Sequence, residues 1–114
     1  MVRKEAFWTI ANLAVGGNPH QIDAAVGLGL IKALVEGLTF HGDDQLICAI
    51  IDGLSNVLKI GAETDNGENR FLTLMEENEG STKLENLQRH EDEQVFLRAL
   101  EILQTYCECV WATQ

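Results

Sequence analysis

Glu5, Trp8 and Asn12 stand three and four residues apart, a spacing that puts all three on one face of a helix. An exposed indole offers a flat apolar surface with a negative face. It packs the methylene stem of a lysine and attracts the ammonium at its tip. An asparagine amide both donates to and accepts from a peptide backbone, and Glu5 adds a charge for a basic side chain. Together the three residues suit an extended basic peptide laid across a helix. Asp52 and Asn56 repeat the i, i+4 spacing without the indole, and Glu101 and Thr105 repeat it again 49 residues on. Trp8 also has a plainer reading, as an indole that packs on a neighbouring helix or covers an exposed end.

The sequence holds little else that does chemistry. Cys48, Cys107 and Cys109 make an odd count. Cys107 and Cys109 are too close along a helix to pair with each other, so free thiols are expected. His20, His41 and His90 fall near predicted turns, and no His, Cys or carboxylate spacing matches a metal motif. Gly16-Gly17-Asn18-Pro19 is turn chemistry, not a phosphate loop. No cofactor or metal is expected, and no nucleophile–base or carboxylate pair suggests an enzyme.

The elements that position the face are helical. Val2, Ala6, Ile10 and Leu13 form one apolar stripe, with Trp8, Asn12 and Glu5 roughly opposite it. Leu46, Ile50, Leu54 and Val57 form a second, widened by Ile47, Ile51 and Leu58. Val95, Ala99, Ile102, Leu103 and Tyr106 form a third. Shorter helical pieces lie over 21–26, 30–38, 70–77 and 82–88. Breaks fall at 16–19, 27–29, 41–42, 65–67 and 80–81. No strand alternation appears.

A shift of about 49 residues brings Leu38 onto Leu87, His41 onto His90, Asp44 onto Glu93, Gln45 onto Gln94, Leu46 onto Val95 and Leu54 onto Leu103. The unit is two short helices and a long one, with an acid at the long helix's N-terminus that suits the helix dipole. This is the armadillo pattern. The expected fold is all-α, a right-handed armadillo-repeat α-solenoid fragment. Residues 1–17 would be the third helix of an incomplete repeat, 18–62 one repeat and 63–114 the last. Repeats are stable mainly through their neighbours, so exposed apolar surface and self-association are expected at the N-terminal helix.

At 114 residues and 46% apolar composition, the chain is one domain's worth with a modest core. A net charge of −10 disfavours nucleic acid and favours a basic partner. Ten of the eighteen acids lie between Glu63 and Glu93, a solvated acidic face unless a partner covers it. No run of 18 apolar residues points to a membrane span, and nothing at the N-terminus resembles a signal peptide.

Three segments carry a family resemblance. Arg3-Lys4-Glu5-Ala6-Phe7-Trp8-Thr9-Ile10-Ala11-Asn12 with Gly16-Gly17 resembles the K-E-A-x-W-x-I-x-N…G-G pattern of importin-α (karyopherin-α). Gln21-Ile22 with Gly29-Leu30-Ile31-Lys32-Ala33-Leu34 is similar to its Q-I…G-x-I-x-x-L segment. Leu87-Gln88-Arg89-His90-Glu91-Asp92-Glu93 is similar to its L-Q-x-H-E-N stretch. The resemblance implies the last helix of the eighth armadillo repeat, then the ninth and tenth. It implies a non-enzymatic adaptor of cytoplasm and nucleus that binds basic nuclear localisation signals. Trp8 and Asn12, with Glu5, would be part of the minor signal site, with Asp52 and Asn56 in the next helix. It also implies that the last repeats meet the recycling exportin and nucleoporins. The basic importin-β-binding segment and the earlier repeats do not appear in this sequence. A single Trp/Asn pair is expected to bind weakly, because an array recognises its peptide multivalently.

Overall fold

The computed structural model describes residues 4–40, 42–64 and 68–107. They form seven α-helices: α1 (Lys4–Gly16), α2 (Pro19–Gly27), α3 (Leu30–Gly37), α4 (Asp44–Thr64), α5 (Arg70–Glu77), α6 (Gly80–Asn86) and α7 (Glu93–Tyr106). A single 3-10 turn, Leu87–Arg89, follows α6. No strand occurs among the described residues. Helices α2–α4 and α5–α7 are the two short-short-long units, and α1 packs most extensively on the long helix α4. Val2 and His41 of the expected patterns, the break at 65–67 and Cys109 lie outside the described residues.

Local chemistry starts the helices after α1. Asn18 and Gln21 form a reciprocal capping box at α2, with Pro19 in the first turn. Asn69 Oδ1 accepts from the Leu72 amide at α5, and Asp92 Oδ1 accepts from the amides of Gln94 and Val95 at α7. Asp43 Oδ1 accepts from the Leu46 amide at 3.1 Å before α4. The second helix of each unit begins from a left-handed residue: Gly29 (φ 102°) at α3 and Glu79 (φ 64°) at α6.

The core runs through the long helices. Leu46, Ile47, Ile50, Ile51, Leu54, Val57 and Leu58 are all buried, as are Val95, Ala99, Ile102 and Leu103. Leu38 and its counterpart Leu87 are buried at the ends of their units. An 18-residue stretch of α4 is apolar enough to span a membrane, with mean hydropathy 1.3. Its apolar side is used instead on α1, α3, α5 and α7.

The first helix departs from its expected stripe. Its buried residues are Phe7, Ala11 and Ala14, whereas Ala6 is exposed, Ile10 half-buried and Leu13 41% exposed. The reason is close approach. A Cβ on Gly53 would lie 2.7 Å from Ala14 Cβ and 3.3 Å from the Ala11 carbonyl oxygen. The helices therefore meet through their smallest residues. Phe7 fills the notch at Gly37 and meets Phe40 edge-on, ring centroids 5.8 Å apart. Leu13 and Val15, the latter 50% exposed, are left outward.

Candidate peptide-binding face

Because Phe7, Ala11 and Ala14 point inward, Trp8 and Asn12 sit about 100° round the helix from the buried face, at its border. The indole of Trp8 is half-buried, packed partly against the core. Asn12 is exposed, and its amide makes no hydrogen bond with any described residue. Glu5 is exposed as well. Its backbone carbonyl accepts from Thr9 Oγ1, and its carboxylate pairs with no described base.

The two residues on α4 stand differently. Asn56 Nδ2 donates to the Ala14 carbonyl at 2.8 Å and to the Val15 carbonyl at 3.4 Å. These carbonyls belong to the last turn of α1, where the helix has no partners of its own. The Leu13 carbonyl is already taken by the Gly17 amide at 2.8 Å. Asn56 thus caps α1 from the neighbouring long helix, leaving its Oδ1 as an acceptor. Asp52 is exposed but pairs with Arg98 of α7, Oδ1 to Nε at 3.1 Å, and Gln94 Oε1 accepts from Arg98 Nη1 at 2.7 Å. Glu101 and Thr105, the repeat counterparts on α7, are exposed.

The long helices are therefore offset. Asp52 meets Arg98, three residues before its repeat counterpart Glu101. Asn56 meets Ala14 and Val15 rather than Asn12. A groove of 360 Å³ lies between α4 and α7, lined by Asp44, Gln45, Cys48, Ala49, Asp52, Gln94 and Arg98. Partial burial raises the Cys48 thiol above its ordinary pKa. Cys107 is buried, with its Sγ 3.4 Å from Ser81 Oγ.

Sequence reasoning did not single out three positioning residues. Lys4 Nζ lies 2.7 Å from Asp43 Oδ2, tying the first turn of α1 to the start of α4. The Lys4 ammonium, with the Leu46 amide, holds the Asp43 carboxyl below its ordinary pKa. Arg98 and Gly53 are the others. Only the run of small residues on α1 facing a helical glycine could have pointed to Gly53. His90 behaves as a turn residue: its Nδ1 accepts from the Asp92 amide at 3.0 Å, and its Nε2 lies 3.4 Å from Asp44 Oδ1. No group of three or more His, Cys, Asp or Glu among the described residues is placed to hold a metal.

Comparison with known proteins agrees with this architecture. Residues 69–111 match the family model described as an atypical Arm repeat. The chain is 39% identical over 108 residues to importin subunit alpha-5 of Arabidopsis thaliana, covering 92% of this chain and 20% of that protein. It is 35% identical over 92 residues to importin subunit alpha-3 of Caenorhabditis elegans, covering 81% of this chain and 17% of that protein. The chain thus spans about a fifth of the length of these relatives. A designed armadillo repeat protein, YIII(Dq)4CqI, superimposes with a TM-score of 0.65 at 28% identity, covering 89% of this chain and 39% of that one. With its two short-short-long units, its long helices packed side by side and its sequence identity over most of the chain, this is an armadillo-repeat protein of the importin-α family.

Proposed function

We propose that the chain is part of a nuclear-import adaptor, a binding protein and not an enzyme, that works in cytoplasm and nucleus. In this reading an extended basic peptide, of the localisation-signal kind, lies across α1. Trp8 packs a lysine stem, the free amide of Asn12 holds the peptide backbone, and Glu5 attracts the ammonium. One observation carries the reading. Asn12 stands one turn from Trp8 on an open face with its full hydrogen-bonding capacity unspent.

Asp52 and Asn56 extend the face with reduced strength. Arg98 offsets the charge of Asp52, and Asn56 keeps only its oxygen for a peptide N–H. Binding is therefore weak and centred on α1. The last repeats, rich in acids between Glu76 and Glu93, are in the same reading the place for the recycling exportin and nucleoporins. Isothermal titration with a lysine-rich bipartite signal peptide tests the α1 site. Asn12→Ala lowers the affinity several-fold; equal affinity for the two proteins removes Asn12 from the site.

A second reading is an interaction scaffold that self-associates through α1. The outward Leu13 and Val15 favour it. Light scattering over a concentration series decides it, since a particle of constant monomeric mass is incompatible with self-association.

A further inference from the structure

The chain carries eighteen acids and eight Lys or Arg residues, and several of the bases are already committed. Lys4 pairs with Asp43, Arg70 with Asp23, and Arg98 with Asp52. Lys83 and Arg89 have no ion-pair partner among the described residues, and both line one pocket of 340 Å³. The pocket lies on the seam between the two units. Leu38 and Thr39 come from the end of α3. Lys83, Asn86 and Leu87 come from α6 and the turn after it, and His90 closes the side.

The lining has two chemistries. Leu38 and Leu87, repeat counterparts 49 residues apart, supply the apolar part. The size is at the lower end of ordinary ligand pockets, roughly 300–1,000 Å³. Lys83 and Arg89 supply positive charge at its edge. Asn86, exposed, adds an amide that both donates and accepts. His90 is fixed by the bond its Nδ1 accepts from the Asp92 amide, and its Nε2 lies 3.4 Å from Asp44 Oδ1. The surface is thus an unspent basic edge beside an apolar hollow, on a chain whose net charge is −10. Its polarity is opposite to that of the α1 face.

We propose that this seam pocket docks an acidic segment of a partner protein that carries one large apolar anchor. The anchor enters between Leu38 and Leu87, and carboxylates flanking it pair with Lys83 and Arg89. Charge complementarity selects an acidic over a basic segment, and the hollow separates an anchored segment from a featureless polyanion. Because the pocket joins α3 of one unit to α6 of the next, an occupant also bridges the repeat seam.

The test uses the whole chain and a fluorescein-labelled peptide with one leucine centred in a run of Asp and Glu, read by anisotropy. The expected result is saturable binding. The Lys83→Ala/Arg89→Ala variant weakens it roughly tenfold, as losing two exposed or rim charge pairs predicts. Replacing the peptide's leucine by glycine weakens it by a similar factor. Circular dichroism of the variant confirms that its helix content is retained. Absence of saturable binding to the native chain overturns the proposal. Binding that survives the double substitution overturns it as well. Dependence on the two bases with indifference to the leucine reduces the site to non-specific anion attraction, and the proposal fails.

Discussion

Asn56 stands at a ladder position that the sequence offers to a peptide, and its bonds give it a stabilising duty that can be measured. Its Nδ2 is 2.8 Å from the Ala14 carbonyl, a part-buried bond to the last turn of α1. Asn56→Ala leaves that carbonyl without its partner, at a cost of about 1–2 kcal/mol. Asn56→Asp is worse, because it sets a carboxylate oxygen against a carbonyl oxygen. For a chain near a hundred residues, each kcal/mol is about 4–8 °C in Tm. Asn56→Ala should therefore lower Tm by several degrees, and Asn56→Asp by more at neutral pH than near pH 3. The loss should be local first, so amide exchange in α1 should rise more than in α7. The assay is thermal and urea unfolding monitored by circular dichroism, with hydrogen exchange on the same proteins. Unchanged Tm and unchanged α1 protection in Asn56→Ala would refute the cap.

Three further perturbations follow from the packing and the charges. Gly53→Ala should destabilise by about 1–3 kcal/mol through overpacking, set against a helix-propensity gain of about 1 kcal/mol. The added Cβ meets Ala14 Cβ and the Ala11 carbonyl oxygen, which give way only if α1 moves; a urea midpoint above the native one would contradict this. Glu79→Gly should stabilise by up to about 1 kcal/mol, since φ 64° suits glycine and the equivalent residue in the previous unit is already Gly29. A lower Tm would show that the Glu79 side chain contributes more than its strain costs. The depressed Asp43 pKa gives stability that is present above the ordinary carboxylate range, near pH 4, and lost as pH falls through the folded value. Between pH 5 and 3 the native chain should lose more stability than Asp43→Asn; parallel losses would remove the Lys4–Asp43 pair from the account.

Most of the fold is legible in the sequence because a repeat states its pattern twice. The stripes of α4 and α7 are wide and apolar, so 100° arithmetic finds their inward side, and the match of Asp44 with Glu93 places the start of both helices. The first helix was not legible in the same way. Apolar residues point in several directions from α1, and spacing alone puts Val2, Ala6, Ile10 and Leu13 on one stripe. Close approach at Gly53 selects Ala11 and Ala14 instead. That choice depends on the partner helix, which periodicity within α1 cannot see. The offset of the long helices was hidden for the same reason. Repeat counterparts share a place in their own unit, but lateral neighbours are set by stacking. Asp52 therefore finds Arg98, and Asn56 finds the end of α1. Caps are the opposite case: Asn18, Asn69 and Asp92 act within three residues.

In the proposed reading Trp8, Asn12 and Glu5 of α1 hold a lysine side chain and its backbone. The most direct measurement is fluorescence anisotropy of a labelled lysine-rich bipartite signal peptide, at low and at physiological salt, with the native chain and Trp8→Ala. The expected result is weak saturable binding that salt reduces and that Trp8→Ala reduces again, by roughly fivefold or more for a lost cation–π and stem contact of about 1 kcal/mol. Binding of equal strength to both proteins, or none to the native chain at either salt, would contradict it.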